Sequence, residues 1–184
     1  MTHTLLRRTL VSLLAAALIA MSAQLSFPLP GTDIPQTAQT IAVLVVGSLL
    51  GPLWGPIAVL LYLLAGVIGL PVYSDGASGW ATLSGGSAGY FVGFIAAAAL
   101  SGVLRRTAKR ELLWLLSLQM LAAHLVILAA GWLWLALSMA MLDAFFTGVT
   151  PFIYGGIVKS VLCAAIVLAA SRIPAREPAW FGSR

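Results

Sequence analysis

Apolar residues run along this chain in long blocks, and the polar residues collect in the short gaps between them. Six blocks have the length and composition of membrane-crossing helices, at about residues 5–23, 37–50, 57–69, 88–104, 112–130 and 152–171. The gaps differ in chemistry. Residues 27–35 are rich in Pro and Gly and read as a connector. Residues 51–56, Gly-Pro-Leu-Trp-Gly-Pro, read as a tight turn, because Gly and Pro end helices. Pro71 closes the third block. Residues 74–90 form the one long polar, glycine-rich stretch, and residues 105–110 are basic. Residues 131–150 allow two readings. Trp132 and Trp134 favour an interfacial depth, and residues 135–146 form either a short helix near the outer surface or an extension of the fifth span. No internal repeat is evident.

Composition makes the membrane reading firm. Of 184 residues, 61% are hydrophobic and 8% charged, with a mean hydropathy of +1.04. A soluble domain carries about a quarter charged residues and could not cover its surface with so few. The pattern therefore predicts an all-α membrane protein, a single transmembrane domain over residues 1–184 with six helices. No sizeable soluble domain fits beside it.

The net charge of +5 does not point to nucleic acid. The basic residues sit in clumps at the ends of apolar blocks: Arg7 and Arg8, then residues 105–110, then residues 172–184. With Arg7 and Arg8 inside, six spans place all three clumps and both termini in the cytoplasm, as the positive-inside rule requires. Asp33, Asp75, Asp143 and the 74–90 stretch fall outside. The N-terminal block resembles a secretory signal peptide, but kept as the first span it makes the charge pattern consistent. Cys163 is the one cysteine, so no intramolecular disulfide forms, and it reads as a small buried hydrophobe.

Four features carry possible chemistry. Ser78 lies in Gly-Ala-Ser-Gly and His124 in a later span, the elements of a rhomboid-like intramembrane serine protease, in which a base activates a hydroxyl. Against it, Ser78 precedes the fourth helix by about ten residues and is flanked by Asp75 and Trp80, and His124 equally suits a bond to a neighbouring helix. Lys159 stands about 10 Å inside the sixth span by helical rise, too deep to snorkel comfortably, with no acid in the core of any span. A cation there costs roughly 2.5–3.5 kcal/mol and invites an anion such as a ligand carboxylate. Residues 84–90 enter a helix with free backbone N–H donors. Ser84 and Ser87 add hydroxyls, and Trp80 and Tyr90 add flat faces with polar handles; the set suits a small hydrogen-bonding ring or a plain capped loop. Ser12, Ala16 and Ala20 share one face of the first helix at a spacing that permits close helix packing, either within this protein or against another membrane subunit.

Taken in order, several motifs resemble the BioY family, the biotin-binding S components of energy-coupling-factor (ECF) transporters. Residues 34–43, IPQTAQTIAV, resemble its V-P-x-T-x-Q-T-L-A-V. Residues 51–55 and 61–72 resemble its L-G-x-x-x-G and L-Y-L-x-x-G-x-x-G-L-P-V. Residues 84–94 resemble x-G-P-T-G-G-Y-x-x-G-F, and Pro151, Phe152 and Lys159 resemble P-F-x-P-G-D-x-x-K. The resemblance implies an S-component bundle whose outward pocket binds biotin. Ser84, Gly85, Ser87 and Tyr90 would hold the ring end, with Gln39 and Trp80 also in the biotin site and Lys159 facing the carboxylate. Ser12, Ala16 and Ala20 would match the surface offered to a transmembrane T subunit. The chain departs from the pattern at Gly86, Ser87 and Ala88, and more consequentially at Tyr154, in place of Pro, and at Gly156, in place of the Asp one turn before Lys159.

The expected function is thus high-affinity biotin capture in the inner (plasma) membrane, without enzymatic activity, resident cofactor or metal. No Gly-x-x-x-x-Gly-Lys-Ser/Thr motif is present, so ATP would be used only by partner ATPase subunits. A T subunit, or self-association in a solitary protein, would complete the machinery. An S component for another small carboxylated vitamin and the serine protease are the alternatives.

Overall fold

The computed structural model describes residues 2–108 and 111–172. Lys109, Arg110 and the basic residues of the 173–184 segment lie outside the described residues. Eleven elements follow one another, seven of them α-helices: α1 (Thr2–Ala23), α2 (Gln39–Val67), α3 (Gly79–Leu83), α4 (Ala88–Thr107), α5 (Leu113–Leu135), α6 (Met141–Gly148) and α7 (Ile153–Arg172). Among the described residues five runs are long and apolar enough to cross a membrane, the last spanning Met141–Arg172.

The second and third predicted spans come from one of these runs. α2 continues through the predicted turn at 51–56 and is broken only at Gly51, with φ 84° and ψ 179°, a conformation open in practice only to glycine. The chain reverses there. Gly55 returns directly onto Gly47, a Cβ on Gly55 standing 2.7 Å from the Gly47 Cα. Two limbs, 39–50 and 52–67, therefore lie side by side, and the bundle has six passes. Pro52 opens the returning limb, where its missing N–H has no helical acceptor to lose. Gly47 and Gly102 bring α4 against both limbs at backbone distance.

The connector at 27–35 is not irregular. Ser26–Leu29 (β1) and Thr32–Thr37 (β2) pair antiparallel around Gly31, which takes φ 81°. A two-stranded ribbon has two edges, so Pro28 and Pro35 remove no needed ladder bond. The bundle itself is all-helical, as expected, and this hairpin is confined to the connector between α1 and α2. At 131–150 both readings hold in part: α5 continues to Leu135, and α6 is a separate short helix fastened by Trp132 Nε1 donating to the Met141 carbonyl at 3.0 Å.

Of the two readings of the small-residue face of α1, the structure favours packing within the protein. Ser12 is fully buried, Ala16 nearly so and Ala20 partly, all packed inward, chiefly against α2. The small-residue face expected to meet a partner subunit is an internal seam. Small side chains are needed there because two backbones approach closely. The exposed face of α1 carries Leu10, Leu14, Leu18 and Met21 instead.

Candidate functional site

At the end of the bundle that carries the β-hairpin, β2, α2, α4, α5 and α7 enclose a cleft of about 600 Å³. Its position follows from how the connecting loops are pinned. Tyr73 is fully buried and donates through its hydroxyl to the Leu63 carbonyl at 2.7 Å. Gln24 donates to the Tyr73 carbonyl at 2.9 Å and accepts from the Gly76 N–H at 3.2 Å, and Ser26 bonds Asp75. The first part of the 74–90 stretch is therefore tied to the end of α1, and Ser74 is held at the cleft wall.

One wall is aromatic. Tyr90, Phe91 and Phe94 project from successive turns of α4, and Phe152 faces them from the start of α7, its ring 6.1 Å from that of Tyr90. Ile127 and Leu128 of α5 complete the apolar surface. Tyr90 contributes a ring rather than a hydroxyl, because that group donates to the Gly148 carbonyl at 2.6 Å and ties α4 to α6.

The rest of the lining is polar. Lys159 enters from α7 and its Nζ donates to the Thr37 carbonyl at 2.6 Å, at the root of the hairpin. Among the described residues no acid lines the cleft. Gln39 and His124 are both almost wholly buried; the Gln39 side chain lies beside the Tyr62 hydroxyl, whereas His124 Nδ1 makes no hydrogen bond. A buried donor or acceptor left unpaired costs about 1–3 kcal/mol, which makes Nδ1 a candidate ligand contact. Gly155 and Gly156 make room for Gln36 and His124. The Gln36 amide occupies the space a Cβ on Gly155 would need, and the His124 ring lies 3.4 Å from where a Cβ on Gly156 would stand.

The structure brings together Gln39, Ser87, Tyr90 and Lys159 of the sequence-predicted site. It does not bring in Ser84, Gly85 or Trp80. The Ser84 hydroxyl donates to the Trp80 carbonyl at 2.9 Å, the Gly85 carbonyl accepts from Trp134 Nε1 at 2.9 Å, and Trp80 is exposed. These residues shape the end of α3 and its attachment to α5, outside the cleft lining. Sequence reasoning missed Gln36, Thr37, Thr40, Ser74 and the two phenylalanines of α4 as cleft residues. The signal available for the first three was their place in the 34–43 motif. His124 lines the cleft but Ser78 does not, so the pair needed for serine hydrolysis is not assembled. Tyr154, one of the departures from the resembled pattern, points away from the cleft and is 83% exposed.

The cleft can hold a ligand that packs on flat aromatic faces and also accepts hydrogen bonds or offers negative charge. Comparison with known proteins is consistent with that description. Residues 1–176 match the BioY family. The chain is 36% identical over 165 residues to a probable biotin transporter BioY of Pyrococcus horikoshii, covering 89% of this chain and 94% of that one. It is 33% identical over 176 residues to the biotin transporter BioY2 of Lactococcus lactis subsp. cremoris, covering 94% of each. Its fold matches a crystal structure of the S-component for biotin from an ECF-type ABC transporter, with a TM-score of 0.82 over 93% of this chain and 94% of that one, at 24% identity.

Proposed function

The chain belongs to the BioY family, and from that premise we propose that its cleft captures biotin for uptake as the substrate-binding S component of an ECF-type transporter. The observation that carries the reading is the pairing of one cation, Lys159, with an aromatic wall in a cleft lined by no acid among the described residues. Biotin is an amphipathic acid of matching character: a fused bicyclic ring with a ureido group at one end and a carboxylate at the other.

In this reading the ring lies against Tyr90, Phe91, Phe94 and Phe152. The carboxylate takes Lys159. Lys159 donates to a neutral carbonyl, that of Thr37. A carboxylate is the stronger acceptor, since charge-assisted bonds are roughly twice as strong as neutral ones. Gln39, Ser87 and the His124 Nδ1 face the remaining polar atoms of the ligand. The β-hairpin and the 74–90 segment close over it, and release of the Thr37 carbonyl from Lys159 frees the hairpin to adjust. The ligand enters from outside the inner (plasma) membrane, a direction supported by the clustering of Arg7, Arg8, Arg105 and Arg106 at the other end of the bundle. Energy comes from ATPase subunits through a T subunit, or from an assembly of copies if the protein works alone.

The test is calorimetric titration of biotin and of biotin amide into purified protein, wild type beside Lys159→Ala. Wild type should bind biotin tightly. The substitution should weaken it by about 1.5–3 kcal/mol, roughly tenfold to a hundredfold, and should abolish the preference for biotin over its amide. No binding by folded wild type would reject biotin and direct a panel of other small carboxylated vitamins. Binding with the preference unchanged in Lys159→Ala would keep biotin and reject the role given to Lys159.

A further inference from the structure

At the end of the bundle opposite the ligand cleft, α1, the turn of α2 and the end of α4 enclose a second cleft of about 350 Å³. Four polar side chains line it beside Leu49 and Leu50: Arg8, Ser12, Trp54 and Arg106. The Arg8 guanidinium stands 5.9 Å from the centre of the Trp54 ring. The Arg106 guanidinium packs onto Gly51, in space that only a residue without Cβ leaves open. The neighbouring Arg105 is engaged elsewhere, in an ion pair with Glu111 at 2.6 Å. Among the described residues no acid lines this cleft.

Ser12 is the telling residue. A serine within an apolar helix ordinarily returns its hydrogen bond to a carbonyl of the preceding turn, and Ser117 and Ser160 do so here at 2.8 and 2.7 Å. Ser12 has no exposed surface, and its Oγ has no partner. The Trp54 Nε1 is likewise buried without one. The Arg106 guanidinium and two idle donors thus converge on one cleft whose described lining holds no acid. Beside this polar pocket Leu5, Leu6 and Leu53 are exposed, an apolar rim on which acyl chains can lie.

We propose that this cleft binds a phosphoryl anion, the phosphate diester of an anionic membrane lipid. The phosphate oxygens accept from Arg106, with Ser12 and Trp54 supplying the neutral donors, and the acyl chains follow the exposed leucines. Bound there, the lipid joins the ends of α1, α2 and α4. The site does not depend on the identity of the transported ligand.

The experiment uses the full chain reconstituted in phosphatidylcholine bilayers with or without phosphatidylglycerol. Lipid that stays bound after release is counted by native mass spectrometry, and the thermal midpoint is followed in parallel. Wild type should retain a phosphatidylglycerol and gain thermal stability from it, with little retention of phosphatidylcholine. Arg106→Gln should cut retention about fivefold, the loss expected for one basic residue at a lipid surface. Ser12→Ala should cut it severalfold, Arg106→Lys should keep most of it, and Arg105→Gln should leave it unchanged. Thermal midpoints of the variants in pure phosphatidylcholine show that each is folded. Equal retention in wild type, Arg106→Gln and Ser12→Ala would overturn the site, as would equal retention of the two lipids. Inorganic phosphate that alone reproduces the stabilisation would keep the site and overturn the lipid assignment.

Discussion

Gly156 shows how a missing side chain redefines a binding site. The resembled pattern has Asp at this position, one turn before the lysine. Here the backbone is bare, and the imidazole of His124 from α5 lies against it with Nδ1 unpaired. We therefore expect His124 to act as a ligand-binding group through Nδ1. Asn carries a polar atom near the place of Nδ1 and Gln carries one near Nε2. His124→Asn should bind biotin nearly as wild type does, and His124→Gln should lose one neutral hydrogen bond, about 0.5–1.5 kcal/mol or threefold to tenfold in Kd. Calorimetry on both variants decides it; equal affinities would remove Nδ1 from the site. Lys159 was legible in the sequence because a lone cation within an apolar run is costly and calls for an anion. His124 was legible only as a polar residue in a span, because its meaning depends on what α7 lacks at 156.

At the scale of elements, the reversal within α2 rests on one glycine. Gly51 combines a left-handed φ of 84° with an extended ψ of 179°, and Arg106 packs upon it. Gly51→Ala should destabilise the protein by about 1–3 kcal/mol, the usual cost of forcing an L-residue into such backbone, and should also displace Arg106. Thermal unfolding in detergent measures the first effect. An unchanged midpoint would mean that the limbs are held by their packing on α4 alone. The β-hairpin teaches the complementary lesson. Its sequence reads as a Pro/Gly connector because Pro28, Pro30 and Pro35 interrupt any strand pattern, and only pairing in a two-stranded ribbon makes two of those prolines harmless.

For the whole molecule, the buried face of α1 changes where a partner can dock. Ala16 lies in the seam with α2, whereas Leu14 is 72% exposed. Ala16→Leu should overpack that seam and cost the isolated protein about 1–3 kcal/mol, and Leu14→Ala should leave its thermal midpoint nearly unchanged. If Ala16→Leu is as stable as wild type, α1 is free to leave the bundle and present its small-residue face after all. A T subunit that meets α1 in the folded state meets the leucine-rich surface of Leu10, Leu14 and Leu18, so Leu14→Ala is the variant expected to weaken assembly.

The apolar blocks by themselves determined the membrane class and the six passes, and the basic clumps between them indicated an orientation. These properties are set by transfer of side chains between water and lipid, which each segment undergoes largely on its own. The order of the motifs carried the family and singled out Lys159 and Gln39. Only the tertiary structure decided which polar residues share a cleft. Ser84, Gly85 and Trp80 lie near Ser87 and Tyr90 in sequence, yet hydrogen bonds to α3 and α5 turn them to other work. Ser74, Gln36 and His124 are far apart in the chain and meet because pinned loops and bare glycines let them. Neighbours in a cleft are chosen by which surfaces can approach, and that is a property of pairs of elements that no single stretch of sequence contains.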